Sequence, residues 1–391
     1  MFTFERMSTI HQPLIKSKLP HVGQTIFSTM SALAQKHQAI NLSQGFPDFE
    51  VAPKLIERVF HHMQNGQNQY APLQGVLPLR EILAAQTQKQ HGAAYNIDTE
   101  INITAGATQA IATAITASIR EGDEVIIFTP AYDCYAPYVE LNLGTPIFVK
   151  LQHPTYQPDW NQVKKLVNHR TKMIIVNTPH NPSGTIFSEE DLDHLEEITS
   201  GSDILILSDE VYEHIVFNGK KHLSLAGRPS LAKRSFIVGS FGKTLHITGW
   251  KMGYCLAPEN LMKEFRKVHQ YMVFSVNTPA QYAIADYLSD RKNFEIASMY
   301  QQKRDIFLEA VKNSRFKALS SKGSYFVLLD YGQITQENEV DFAKRLTIEH
   351  SVASIPLSVF YNDPTDHKVL RFCFAKQEKT LREAGHILSK V

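Results

Sequence analysis

Between Ile101 and Pro258 the chain repeats one pattern, a short and almost unbroken apolar run followed by a polar or helical stretch, and this restricts the fold more than any other feature. The runs are INITAG, DEVIIFTP, PIFVKL, KMIIVNTP, DILILSDEVY, SFIVGSF and GYCLAP, and QAIATAITASI after the first of them reads as a helix. A strand that is apolar at successive positions has no face for solvent, so both of its faces need cover. With helices between the strands, the arrangement is a mainly parallel α/β sheet, whose ligands bind near strand ends. Beyond about Pro258 the pattern changes to the long helical stretches ENLMKEFRKVHQYMVF and NFEIASMYQQKRDIFLEAVKNS. Strand-like YFVLLD, VASIP and VLRFCFA follow, mixed with two more helical stretches. That predicts a smaller α+β unit, joined by the N-terminal segment.

Composition removes several classes of function. The 391 residues, 43% of them hydrophobic and 20% charged, suffice for a large core and two domains. Forty basic and 39 acidic residues leave a formal charge of +1, which gives no electrostatic footprint for nucleic acid or an anionic membrane. Cys134, Cys255 and Cys373 form no CxxC or CxxH arrangement, so they read as free buried thiols. The 17 histidines form no pair of metal spacing, and no metal is expected. MFTFERMSTIHQPLIKSKLP lacks an apolar signal core, and no uncharged apolar run reaches the length of a membrane span, so a cytoplasmic protein is expected. The 40 residues before NLSQGFPDF leave no room for a winged helix, so a DNA-binding regulator is not expected.

Four stretches carry chemistry. AGATQA follows the strand INIT; a small-residue turn into a helix exposes backbone N–H groups and the positive end of the helix dipole, which suits a phosphate, although a plain tight turn has the same sequence. TPHNPSG closes the strand KMIIV; it is a turn by composition, yet Pro182 biases Asn181 toward an extended backbone from which its amide can face a cleft. SDEVY follows DILIL and places Asp209 three residues before Tyr212, either as a helix cap or as an acid and a phenol addressing one ligand. SFGKTLHITGWKMGY sets Lys243 and Lys251 eight apart among glycines. Ser240 and Lys243 also spell the S-x-x-K of serine acyl hydrolases, but the companion motifs S-D-N and K-T-G are absent from the sequence. A phosphate cup, an acid, a phenol, an amide and a lysine at the strand ends of one sheet match pyridoxal phosphate, which needs a lysine for its aldehyde and an acidic partner for its ring nitrogen.

The order N-P-x-G, D-E-V-Y, then S-x-x-K with G-W-K-x-G, resembles the fold-type I aminotransferases of class I/II. NLSQGFPDF, NQYAPLQG, TPAYDCY, TPHNPSG and LRFCFAK are similar to the branch of kynurenine aminotransferases, glutamine transaminase K and bacterial methionine aminotransferases. The resemblance implies a large domain at 51–289 with a mainly parallel seven-stranded sheet, and a small domain from 1–50 with 290–391. It implies that Lys243 bonds covalently to the cofactor aldehyde and, once freed, carries the substrate α-proton. Asp209 would pair with the ring nitrogen, and Tyr212 and Asn181 with the ring oxygen. Ala107, Thr108, Ser240 and Lys251 would hold the phosphate, with Lys251 standing where distant relatives have arginine. Tyr132 would lie on the ring face. Tyr70 would reach the phosphate from a neighbouring subunit, which implies a homodimer with shared sites. Arg371 would clamp the substrate α-carboxylate beside Gly45.

Substrate preference follows from the same resemblance. Aspartate-type enzymes recruit a second arginine in the region that here reads VHQYMVFSVNTP, which has none. Phe27 aligns with a pocket aromatic, and Tyr132, Tyr70 and Phe274 would add aromatic surface. Neutral donors are therefore expected, methionine first, with phenylalanine, glutamine, histidine and kynurenine behind, and a 2-oxo acid as acceptor in a ping-pong reaction. β-Elimination from cysteine conjugates at the same site is the alternative. His180, His246 and Trp250 are read as local packing or hydrogen-bonding residues.

Overall fold

The computed structural model describes residues 15–290 and 296–391. Residues 1–14 and 291–295, which include Arg291, the start of the expected NFEIASMY helix and parts of both segments of the expected small domain, lie outside the described residues. The strands are β1 (Ile40–Asn41), β2 (Ile101–Thr104), β3 (Glu124–Thr129), β4 (Thr145–Lys150), β5 (Thr171–Asn177), β6 (Leu205–Asp209) and β7 (Ser235–Ser240). They continue with β8 (Gly253–Leu256), β9 (Lys317–Ala318), β10 (Phe326–Asp330), β11 (Val352–Ala353), β12 (Ile355–Pro356) and β13 (Val369–Cys373).

Seven of them form one sheet in the order β2-β8-β7-β6-β5-β3-β4. All neighbours pair in parallel except β8, which is antiparallel to both β7 and β2. Alternation along the strands sends Ile126, Ile174 and Ile206 into one core and Val125, Ile127, Met173, Ile175 and Leu207 into the other. The second core is closed by the helices Ala107–Ser118, through Ala110, Ile111, Ala114 and Ile115, and Glu259–Met272, through Met262 and Phe265. The two-sided apolar runs are thus accounted for by a sheet buried on both faces.

β12-β13-β10-β9 form an antiparallel sheet, and β1 pairs in parallel with β11, Ile40 opposite Val352, so an N-terminal segment completes structure near the C terminus. The helix expected over ENLMKEFRKVHQYMVF stops at Met272, because Val273 leaves helical geometry and Phe274 turns left-handed at φ 67°. Among the described residues no helix is long and apolar enough to cross a membrane.

The reversed direction of β8 has a consequence for the site. Its first residue, Gly253, lies opposite both Thr104 and Ser240, the last residues of β2 and β7. At the same edge Asn177, ending β5, lies opposite Asp209, ending β6. One sheet edge therefore gathers Thr104, Gly253, Ser240, Asp209 and Asn177, and the chain that follows each strand end is delivered to one crevice.

Candidate active site

A cavity of about 260 Å³ opens at this edge. Phe27, Gly45, Ala107, Thr108, Tyr132, Asn181, Asp209, Tyr212, Ser240, Lys243, Lys251 and Arg371 all line it. Twelve of the residues singled out from the sequence are thus brought together, from segments as distant as the helix Ile26–Lys36 and β13.

The anion end is built on backbone. Gly106, at φ 80° and ψ 167°, caps the helix Ala107–Ser118 without a side-chain cap, so the first N–H groups of the helix keep no partner within it. A Cβ on Gly106 would stand 3.2 Å from Lys251 Cε and 3.4 Å from its Nζ, and one on Gly253 would stand 2.8 Å from the Ala107 nitrogen. The glycines therefore let the Lys251 amine reach the positive end of the helix. Ser240, buried at the end of β7, borders the same space. An ammonium beside a helix N-terminus is self-repelling unless an anion lies between them, so this corner fits a phosphate.

Asp209, which lines the same cavity from the end of β6, is 3% exposed. Burial lifts its carboxyl to about 6, against the opposing effects of a hydrogen bond from Tyr135, another from the Val211 backbone and the Lys243 charge. Tyr135 Oη donates to Asp209 Oδ2 at 2.5 Å, and the Val211 N–H to Oδ1 at 3.3 Å. Such a carboxylate is short of positive partners, and a cationic ring nitrogen supplies one.

Lys243 lies on the single helical turn Phe241–Thr244. Its Nζ donates to Tyr325 Oη at 2.7 Å and to the Gly45 carbonyl at 3.3 Å. Desolvation lowers its pKa from the ordinary 10.5 to about 8; Lys251 and Arg371 push the same way, while Cys373 and Asp209 oppose. An amine with that pKa is partly neutral near pH 7, as a nucleophile or base requires.

Arg371, 1% exposed on β13, donates from Nη1 to Asn181 Oδ1 at 2.8 Å and from Nη2 to the Ser43 carbonyl at 2.9 Å. Its guanidinium lies over the rings of Phe326 at 4.0 Å, Phe360 at 5.1 Å and Phe27 at 5.3 Å. Burial lowers its pKa to about 10, and Nε has no hydrogen-bond partner among the described residues. A buried cation with a donor left over is a receptor for a carboxylate. Gly45 stands beside it because a Cβ there would press on Phe326 Cζ at 2.8 Å.

Burial raises the phenols of Tyr132 and Tyr212. Tyr132 hydrogen-bonds Thr108 and stands edge-on to Tyr135 at 5.9 Å. The Asn181 backbone N–H donates to Asn177 Oδ1 at 2.8 Å, which fixes the TPHNPSG turn on the sheet edge. His180 pairs with Ser183 at 2.7 Å, and burial lowers its pKa to about 4; His246 meets Tyr300 at 3.0 Å. Tyr70 and Phe274, expected to add aromatic surface, lie outside the cavity: Tyr70 is 81% exposed and edge-on to the exposed Phe274 at 5.2 Å.

Tyr135, Asn177 and Tyr325 escaped the sequence reading, as did Asp133, which also lines the cavity. Tyr135 and Asp133 sit inside the quoted TPAYDCY, and Asn177 ends the strand KMIIVN, so position at a strand end was the available signal.

The family described as "Aminotransferase class I and II" matches residues 37–388. The chain is 50% identical over 384 residues to the methionine aminotransferase of Escherichia coli (strain K12), covering 97% of this chain and 100% of the relative. A solved structure of a methionine aminotransferase from Escherichia coli superposes with a TM-score of 0.95, covering 97% of this chain and 100% of that one at 50% identity. The human kynurenine–oxoglutarate transaminase 1 is 33% identical, with 92% and 93% coverage. The N-succinyldiaminopimelate aminotransferase structure from Mycobacterium tuberculosis superposes with a TM-score of 0.92 at 34% identity, with 96% and 99% coverage.

Proposed function

Because the chain belongs to the class I and II aminotransferases, we propose that it is a pyridoxal phosphate enzyme of the cytoplasm. In this reading it moves the amino group of a neutral amino acid, methionine first, to a 2-oxo acid by a ping-pong route. The observation that carries this is the placement of one amine of lowered pKa, Lys243, in a cavity that also holds the buried acid Asp209, a helix-end anion corner and the buried guanidinium of Arg371. Similarity to a methionine aminotransferase at 50% identity supports methionine as the donor.

When bound, pyridoxal phosphate supplies an aldehyde that takes up the amino group and a ring that withdraws electrons from the substrate α-carbon. The chain's residues do the rest. The N–H groups of Ala107 and Thr108, Ser240 and Lys251 hold the phosphate. Asp209, oriented by Tyr135, would pair with the ring nitrogen as a carboxylate, and Tyr212 and Asn181 would hydrogen-bond the ring oxygen. Tyr132 would offer its ring as a packing surface for the cofactor. Arg371 clamps the substrate α-carboxylate next to Gly45, and Lys243 Nζ takes the α-proton and gives one back.

Neutral donors fit the charges of the cavity. Among the described residues its cations are Lys243, Lys251 and Arg371, each already assigned, and Asp133 adds an anion to the lining that would repel an acidic side chain. Phe27, Ile111 and Phe326 offer apolar surface instead, at about 1–3 kcal/mol of discrimination for each contact, so a broad range is expected. The exposed Tyr70, edge-on to the exposed Phe274, with Tyr271 and Met272 exposed just before that phenylalanine in sequence, supports a homodimer in which Tyr70 serves the neighbouring site. Residues 51–289 would then form the cofactor domain, and 1–50 with 290–391 the small domain.

A half-reaction screen tests the function. The cofactor-loaded enzyme is mixed with single amino acids while the aldehyde-form absorbance is followed. Methionine should discharge it fastest; aspartate outperforming methionine overturns the donor assignment. Pyruvate and ammonia released from a cysteine conjugate would mark β-elimination instead.

A further inference from the structure

Tyr325 does not line the cavity, yet its hydroxyl holds the group whose orientation the reaction most needs. The residue is fully buried just before β10, its ring edge-on to Tyr212 at 5.0 Å and tilted on Tyr300 at 5.7 Å. Its hydroxyl donates to the Gly45 carbonyl and lies 2.7 Å from Lys243 Nζ, while Nζ is also 3.3 Å from the same carbonyl. Amine, phenol and carbonyl thus close a triangle.

Elementary chemistry sets its polarity. A carbonyl oxygen can only accept, so the Tyr325 proton is committed to Gly45 and the phenol oxygen is left to accept from Lys243 and from the Tyr212 hydroxyl, which also hydrogen-bonds it. A neutral amine has two N–H bonds and one lone pair. With both N–H bonds aimed at the two oxygens, the lone pair points away from both. The loop that supplies the Gly45 carbonyl also supplies the Ser43 carbonyl to Arg371 Nη2. Base and carboxylate clamp therefore rest on residues two apart in one loop.

We propose that Tyr325 is a positioning residue of the transamination: with the Gly45 carbonyl it holds the Lys243 amine lone pair outward and fixes that pose relative to Arg371. This rests on the function proposed above. The other groups that bear on Lys243 are Asp209 and Cys373, which favour its charged form, Lys251 and Arg371, which oppose it, and the ring of Tyr212 at 5.7 Å.

Tyr325→Phe keeps the ring and removes only the hydroxyl. In the cofactor-free full chain, acetylation of Lys243 by an N-hydroxysuccinimide ester is followed against pH by peptide mass spectrometry. The accepting oxygen favours the ammonium form, so its loss should move the inflection down by about one pH unit. In the loaded enzyme, kcat for methionine should fall about tenfold with KM changed less than about twofold, as expected from one lost hydrogen bond to the base. An unmoved inflection overturns the proposal, whether kcat is kept or lost, and so does a variant that fails to fold, since the hydroxyl would then be structural. If wild-type protein does not transaminate methionine, the functional reading fails instead, while the acetylation profile still reports on the Tyr325 contact.

Discussion

Arg371→Met separates what the buried guanidinium does for the fold from what it does for substrate. Holding this cation inside depresses its pKa from 12.5 to about 10, equivalent to roughly 3 kcal/mol against the charged form in the folded state. Methionine removes that cost but strands two acceptors, Asn181 Oδ1 and the Ser43 carbonyl, at about 1–3 kcal/mol each. It also exchanges a cation over Phe326, Phe27 and Phe360 for a sulfur over the same rings, two contacts of comparable size. The terms nearly cancel, so the variant should be at most about 3 kcal/mol less stable, a shift of a few degrees for a chain of this size. Catalysis has no such compensation. Losing a buried charge-assisted clamp on the α-carboxylate costs about 3–5 kcal/mol, which lowers kcat/KM for methionine by about 10²–10³ or slightly more. The assay pairs thermal unfolding with kcat/KM for methionine and for 3-(methylthio)propylamine, which has the same side chain and no carboxylate. Wild type should favour methionine by about the factor lost, and the variant should nearly equalise the two. A variant that unfolds about 10 °C earlier, or keeps the wild-type preference, refutes the division of labour argued for Arg371.

Asp209→Asn tests the buried acid through its pH dependence. Its folded pKa of about 6 exceeds the ordinary 3.8, so the carboxyl costs nothing at low pH; stability falls as pH rises through this interval, by up to roughly 3 kcal/mol at neutrality. In denaturant melts of the cofactor-free chain the Asn variant should therefore gain on wild type at about pH 7.5 and not at about pH 4, while losing turnover; equal differences at both pH values would contradict the burial argument. Gly106→Ala places a methyl 3.2 Å from Lys251 Cε on a backbone conformation that is essentially glycine's alone, at about 1–3 kcal/mol, so a pyridoxal phosphate titration should show affinity down by about tenfold or more; unchanged affinity would remove Gly106 from the anion corner. Lys243→Ala should abolish turnover, and Tyr70→Ala should cripple it. If sites are shared across a homodimer, unfolding and refolding the two variants together should restore about a quarter of wild-type activity through hybrids with one intact site; no recovery in verified hybrids would place Tyr70 in its own subunit's site.

What was legible in the sequence follows from how local each feature is. The apolar runs of β3, β5, β6 and β7 announce a two-sided sheet because alternation into both cores leaves few polar positions between the strand ends, and DEVY and TPHNPSG announce the site because strand ends face the crevice. GYCL carries the same apolar signature as the parallel strands, so nothing in it reveals that β8 runs backwards; yet that reversal is what brings Gly253 opposite Thr104 and Ser240 and closes the anion corner. Phenols are the hardest residues to read. Tyr135 meets its carboxylate 74 residues away, and Tyr325 meets its lysine 82 residues away, while in sequence each looks like one more aromatic of the core. Burial is what hides them, and it is also what gives them force: in a desolvated setting one phenol proton donated to Asp209, or one phenol oxygen offered to Lys243, shifts a charge balance that water would otherwise level. Tyr70 is a different case, since an exposed tyrosine packed on an exposed phenylalanine carries no sign of a site within its own chain. Resemblance alone could name it, because it is the neighbouring subunit implied by the resemblance that would give it meaning.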